Sequence, residues 1–271
     1  MNYPIPFTRS VLSLSLITLL SVSGSAWSES VIGTPGSPGI HGNAGIPGTP
    51  GTNGGAGGDA VANETRIFND ISASAIGGDG GQGGNGGVGL ADGNGGAGGN
   101  GGAGGNASAV AHTIPDDILI GNASATATAQ GGGGGNQGLG GGVLGAGIPG
   151  NNGGSANGGN AASSASVRAT GNVTVTASSI GGDGSGISRD PRDPVVVGNG
   201  GKADLGSTYG KSTNGGDVRV TGLEQGGRGG FASSGDPRNT SNAGKGASAI
   251  IVNAVNGDTS GSLNLSQAAI G

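Results

Sequence analysis

The chain alternates between two kinds of order. In the first, small apolar and polar residues alternate with period two: ASATATA at 123–129, NVTVTAS at 172–178, DVRVT at 217–221 and SLNLS at 262–266. Successive side chains of a strand point to opposite faces, so this alternation predicts half-buried β-strands, and Thr and Val suit such a surface. In the second, glycine dominates. Residues 77–106 read largely as GGX triplets, beginning GGD, GGQ, GGN and ending GGA, GGN.

The strand-like runs come in pairs separated by polar turns. Runs 106–112 and 118–129 flank Pro115-Asp116-Asp117. Runs 164–169 and 173–178 flank Gly171-Asn172, and runs 249–255 and 263–266 flank Asn256-Gly257-Asp258. Short polar connections between alternating runs predict β-hairpins.

Two markers repeat along the chain. A glycine pair followed by alanine places Ala60, Ala107, Ala161, Ala203 and, more loosely, Ala247 at separations of 47, 54, 42 and 44 residues. A second marker precedes each glycine tract and places Ile76, Gln130, Ile180, Gln225 and Ile270 at separations of 54, 50, 45 and 45. Two markers with a shared spacing indicate a repeat architecture in which neighbouring units bury a face that one unit cannot bury alone. The expected fold is all-β and repetitive. Five hairpin-bearing units, starting near 60, 107, 161, 203 and 247, stack into a thin β-layer or solenoid with polyproline-II-like glycine tracts between them.

Composition narrows the function. Glycine supplies 70 of 271 residues, cysteine is absent, and charged residues make up 10% with a net charge of −5. Absence of cysteine excludes disulfides and thiolate metal sites. The acidic balance argues against nucleic acid as a partner. With aromatics at 2%, little remains to line an enclosed catalytic pocket. Residues 1–26 read as a secretory signal peptide: Arg9 supplies positive charge, VLSLSLITLLSV (11–22) a short apolar stretch, and Ser23-Gly24-Ser25-Ala26 a small-residue cleavage site. The apolar stretch is shorter than the roughly 20 residues that span a bilayer. A secreted or cell-surface chain without a membrane span in its mature part is therefore expected.

Residues 27–59 form an N-terminal segment in which glycine occupies every third position from Gly33, as in GTP GSP GIH GNA GIP GTP. This stretch resembles bacterial collagen-like proteins, in which only glycine fits the crowded axis. An extended Gly/Pro linker fits the same pattern. The GGX tracts resemble the polyglycine-II packing of snow-flea antifreeze proteins and some phage tail-fibre adhesins. Together the features resemble Gly-rich repeat regions of bacterial secreted and surface adhesin-like proteins. GGAGGNGGAGGN (95–106) also resembles mycobacterial Gly-Ala surface proteins in composition. These resemblances imply structural or adhesive roles.

Catalytic and metal chemistry find little support. GGDGG at 77–81 and GGDG at 181–184 lack the aspartate at the place the repeat-toxin calcium motif requires. Gly210-Lys211-Ser212 is not a phosphate-binding loop, since Leu205 stands where that motif needs glycine. Serines are plentiful, but a lone histidine beside them is not a triad, which needs a positioned base and an orienting acid. His112 near Asp116 and Asp117 is the best available constellation and a poor one. No cofactor, metal or catalytic residue is expected. The Thr126/Thr128 and Thr174/Thr176 pairs are too few for an ice-binding array and fit packed sheet hydroxyls. Basic residues concentrate in the later half of the chain, a pattern that suits ordinary surface charge or head-to-tail self-association.

The expected function is that of a non-enzymatic secreted or cell-surface structural or adhesive protein acting through an extended surface. Expected partners are other surface or matrix components, glycans, or further copies of the chain. An alternative is an adhesin tip recognising a receptor or glycan through loops 188–197 and 209–215, with Tyr209 and Phe231 as anchors. A lesser alternative is an ice-binding protein.

Overall fold

The computed structural model describes residues 27–114, 118–186, 197–231 and 243–271. The expected signal peptide, Asp116 and Asp117, and nearly all of loop 188–197 lie outside these residues. Eleven strands and no helix are found among the described residues: β1 (Trp27–Ile32), β2 (Ala60–Arg66), β3 (Asp70–Ile76), β4 (Ala107–Thr113), β5 (Ala123–Gln130), β6 (Ala161–Ala169), β7 (Val173–Ile180), β8 (Ala203–Ser212), β9 (Val218–Gln225), β10 (Val255–Asp258) and β11 (Leu263–Ile270).

They form two parallel sheets. Odd-numbered strands build a six-stranded sheet in the order β1-β3-β5-β7-β9-β11, and even-numbered strands a five-stranded sheet in the order β10-β8-β6-β4-β2. The expected hairpins are thus replaced by arches. A strand and its successor lie in opposite sheets, facing each other across the core, and each strand pairs with its counterpart one repeat away. Period-two alternation reports that one face is buried but carries no information about the direction of the neighbour. The last unit differs further, because Asn256-Gly257-Asp258, expected as a turn, lies within β10.

The markers become columns. Ala60, Ala107, Ala161 and Ala203 align in register across the five-stranded sheet. Ile76, Gln130, Ile180, Gln225 and Ile270 align across the six-stranded one.

Mostly small side chains separate the sheets, with Glu224, Leu205 and Ile71 the larger exceptions. The column nearest the glycine tracts holds Ala75, Ala129, Ser179 and Glu224, and the next Ala73, Ala127, Ala177 and Gly222. Farther away stand Ile71, Val175 and Val220, then Val173 and Val218, all buried. Each strand can therefore run on into a tract that has no side chains to hold the layers apart. Where a large residue enters, glycine faces it: a Cβ on Gly222 would stand 2.5 Å from Leu205 Cδ2.

The tracts continue both layers. Leaving the six-stranded sheet, the tracts at 33–59, 77–106 and 131–160 run outward, reverse, and return into the five-stranded sheet. Backbone hydrogen bonds tie them together with a three-residue period. Within a layer, Gly36 N donates to Asp79 O and Gly80 N to Gly133 O. Between layers a zigzag runs through the stack: Gly78 N to Gly58 O, Gly105 N to Gly78 O, Gly132 N to Gly105 O and Gly159 N to Gly132 O, each 2.8–2.9 Å. In a GGX triplet the two glycine N–H groups bond to neighbouring backbones. The third faces outward, where an Asn or Asp side chain from the preceding repeat often accepts it, as Asn100 Oδ1 does from Gly154 N (2.7 Å). Buried backbone donors must find partners, and here the two inner positions of the triplet have defined ones.

This arrangement explains the collagen-like register. Residues 33–44 run along the N-terminal edge of the stack, with no tract on their outer side among the described residues. Only one glycine per triplet is needed there, and Thr34, Ser37, Ile40 and Asn43 occupy the second position that is glycine in the inner tracts. Two arms of this segment fold back on each other, with Gly58 N on Thr34 O and Gly55 N on Ser37 O (both 2.7 Å). The same edge is closed by Trp27, which stacks on Phe68 at 5.6 Å between ring centroids and lies under the Arg66 guanidinium at 4.8 Å.

One irregularity lies inside the core. The register of β6 against β8 shifts between Ser163 and Ala165, a bulge on the β8 side. Polar side chains satisfy the backbone groups nearby. Ser179 Oγ bonds to Ser163 Oγ (2.7 Å) and donates to Asp204 O (2.6 Å). The buried Glu224 carboxylate accepts from Leu205 N (3.3 Å) and Ile250 N (2.8 Å).

Candidate functional site

Strand side chains end where the glycine tracts begin, and the change in thickness cuts a groove along the six-stranded layer. Its near wall is the column Ile76, Gln130, Ile180 and Gln225. Three residues farther along each chain stand Asp79, Gly133, Asp183 and Arg228. Glycine backbone, including Gly131, Gly132, Gly181 and Gly182, forms the floor, and the groove has a volume of about 490 Å³.

The far wall is fixed by hydrogen bonds between repeats. Asp79 Oδ1 accepts from Gly133 N (2.7 Å), and Asp183 Oδ1 accepts from Arg228 N (2.8 Å). With no side chain at Gly133, a gap opens between the two carboxylates. The groove thus offers two carboxylates, two carboxamides, one guanidinium and two isoleucines over a backbone floor. Carboxamides donate and accept while carboxylates accept, so the set suits a ligand rich in hydroxyl or amide groups.

A second groove of about 390 Å³ lies at the corresponding step of the five-stranded layer. It follows a ladder in which Asn106 N donates to Asp59 Oδ1 (2.7 Å), Asn160 N to Asn106 Oδ1 (2.9 Å) and Lys202 N to Asn160 Oδ1 (2.8 Å).

The outer face of the six-stranded sheet carries a third feature. Ser28, Ser72, Thr126, Thr176, Thr221 and Ser266 stand in register across all six strands. Beside them Ser30, Ser74, Thr128 and Ser178 form a second column. Strand spacing sets hydroxyls about 4.8 Å apart along the stack, and alternate residues stand roughly 6.6 Å apart along a strand. Thr126, Thr128 and Thr176 are therefore part of a larger array, with serines from neighbouring repeats completing the rows, while Thr174 stands in a separate column with Asp70, Ser124 and Arg219. Spacing within one strand does not reveal this, because the columns cross repeats 44–54 residues apart.

The residues expected as anchors do not meet in either groove. Tyr209 is half-buried within β8, flanked by Ser166 and Asn256. Phe231 is 72% exposed at the end of the tract that follows β9. The expected loop 209–215 belongs to β8 as far as Ser212, and Lys211 pairs with Asp258. That hydrogen bond and the attraction between the charges raise the lysine pKa. Aromatic residues meet instead at Trp27 and Phe68.

His112 lies on β4, and burial lowers its pKa, favouring the neutral imidazole. Its Nε2 is buried without a hydrogen bond to any described residue. His41 Nδ1 accepts from Asn85 N (2.8 Å), a bond that joins two tracts. Among the described residues, no three His, Asp or Glu side chains are grouped to hold a metal ion, and no helix is long and apolar enough to cross a membrane.

The groove residues had a signal that spacing could reveal: Asp79, Gly133, Asp183 and Arg228 each follow a marker residue by three positions.

No protein-family model matches the chain, and no curated protein matches it. Among solved structures, it is similar to the nine polyproline type II helical bundle springtail antifreeze protein from Granisotoma rainieri. Identity is 29%, over 46% of this chain and 91% of that one, with a TM-score of 0.15. A TM-score this low does not establish a shared fold.

Proposed function

We propose that this is a non-enzymatic, secreted or cell-surface protein with a structural or adhesive role, acting through extended polar faces. Its tracts are read as a polyglycine-II-like bundle that stiffens the plate. The observation that carries the reading is the six-strand column of hydroxyls from Ser28 to Ser266 beside a groove that also spans several repeats. Contacts arrayed over repeated units reinforce one another through effective concentration, so weak hydrogen bonds add up without a deep pocket. The partners in this reading are matrix or surface polymers rich in hydroxyl and amide groups, glycans among them.

Binding of purified mature protein to glycan arrays and matrix-coated surfaces tests it. Each single change Thr126→Ala, Thr176→Ala or Thr221→Ala should weaken binding by less than about threefold, and the triple change by more than about tenfold. The adhesin-tip alternative, now centred on the groove, makes the opposite forecast. Gln130→Ala with Asp183→Ala would abolish binding while the threonine triple variant kept it. Binding untouched by both sets of changes would remove both readings.

The in-register hydroxyl array also favours a second reading, ice binding. It requires thermal hysteresis and ice shaping by the purified protein, both lost in the triple variant. Absence of both from the unaltered protein eliminates it.

A further inference from the structure

The chain contains nine Asn-Gly dipeptides, at Asn53, Asn85, Asn94, Asn100, Asn152, Asn157, Asn199, Asn214 and Asn256. Asn-Gly is chemically fragile because glycine, lacking a side chain, lets its backbone nitrogen reach the preceding carboxamide. That nitrogen attacks Cγ, loses its proton and expels ammonia, closing a succinimide. Water then opens the ring at either carbonyl, leaving aspartate or isoaspartate.

The structure divides the nine into two groups. Seven lie in the glycine tracts, and both reacting partners are held there. Asn100 Oδ1 accepts from Gly154 N (2.7 Å), while Gly101 N donates to Gly154 O (2.9 Å). Asn199 is clamped in the same way by Lys245: its Oδ1 accepts from Lys245 N, and Gly200 N donates to Lys245 O (both 2.9 Å). Asn53, Asn85, Asn94 and Asn157 follow this pattern with one residue of the next repeat. Asn152 has its Oδ1 on Gly140 N and Gly153 N on Gly138 O. Attack would break two hydrogen bonds inside the packed bundle.

Asn256 is different. It lies on β10, a four-residue strand whose described partner is β8 alone. Gly257 N donates to Oδ1 of Asn256 itself, at 2.8 Å. The nucleophile therefore rests against the group it attacks, an arrangement that favours reaction by proximity. Asn214 is exposed in the turn between β8 and β9, where Gly215 has φ +76° and its N–H is outside the bundle.

We propose that Asn256, followed by Asn214, is a site of spontaneous modification to aspartate and isoaspartate, and that the glycine bundle protects the other seven. Conversion at Asn256 adds a carboxylate near Asp258. Its isoaspartyl form lengthens the β10 backbone by one methylene, which disrupts the pairing with β8.

The test is timed incubation of the folded protein in mildly alkaline buffer, then peptide mapping by mass spectrometry at all nine sites. A parallel sample is held in denaturant. Folded protein should convert Asn256 about tenfold or more faster than any of the seven tract asparagines, with Asn214 between them. In denaturant, the nine rates should draw together. Equal rates across the folded protein, or a tract asparagine converting ahead of Asn256, overturn the proposal. So does the same ranking in denaturant, since the cause would then be local sequence.

Discussion

Gly102→Ala should lower the melting temperature by roughly 6–12 °C. An added Cβ would stand 1.9 Å from Gly55 O and 2.4 Å from Gly55 C. Both are backbone atoms of the neighbouring tract in the same layer, so no flexible side chain can yield. Gly102 N also donates to Gly81 O, and its carbonyl accepts from Gly135 N (both 2.8 Å). Moving the tract to relieve the clash would loosen bonds on two neighbours. Overpacking usually costs about 1–3 kcal/mol and sometimes more. This site belongs at the upper end, and each kcal/mol corresponds to about 2–4 °C for a chain of this size. Gly142→Ala is the control, because a Cβ there has no atom within 4 Å. It should be neutral or stabilising by up to about 1 kcal/mol, through reduced freedom of the unfolded chain. Thermal melts of the two variants followed by circular dichroism check the pair.

Glu224→Ala should destabilise the protein by about 1–3 kcal/mol, because the buried Leu205 N loses its acceptor, while Ile250 N, on a residue that is 74% exposed, can turn to water. Glu224 is only 4% exposed, which limits how readily water can replace it. Glu224→Gln keeps a carbonyl oxygen in place and should lose less than half as much. Denaturant titration at constant m-value separates the two. Similar losses in both variants would show that the negative charge matters more than the acceptor geometry.

Most strand positions and the repeat were legible because they depend on local period and on spacing along the chain. The expected run 249–255 is an exception, meeting β10 only at Val255. Thr and Val at alternate positions mark β7 and β9, and the alanine and isoleucine/glutamine markers become columns in the two sheets. Strand direction was not legible. Gly171-Asn172 is short enough for a hairpin, yet it carries the chain from one sheet to the other. The choice rests on contacts between Ala107, Ala161 and Ala203, which lie far apart in sequence. The collagen-like triplets were visible too, but their meaning lies in position: Thr34 and Ser37 are allowed because no tract among the described residues packs outside them.

The candidate site was hidden for a related reason. Tyr209 and Phe231 stood out by residue type in a chain with few aromatics. The groove is instead built from common residues, Gln130, Asp183 and Arg228 among them, that become neighbours only when repeats stack. Glu224 gave no warning either, since its partners are a backbone group at a bulge in the strand opposite and another in the segment before β10.

The central claim is that glycine here is an ordered structural element: tracts packed against one another by a three-residue hydrogen-bond pattern that extends the β-layers. Amide hydrogen exchange on the mature protein tests it most directly, read at glycines such as Gly78, Gly81, Gly102 and Gly105. Their N–H groups bond across the layers and should exchange as slowly as those of β5 and β7. Exchange at the rate of an unstructured peptide throughout residues 77–106, with protection confined to the strands, would contradict the account.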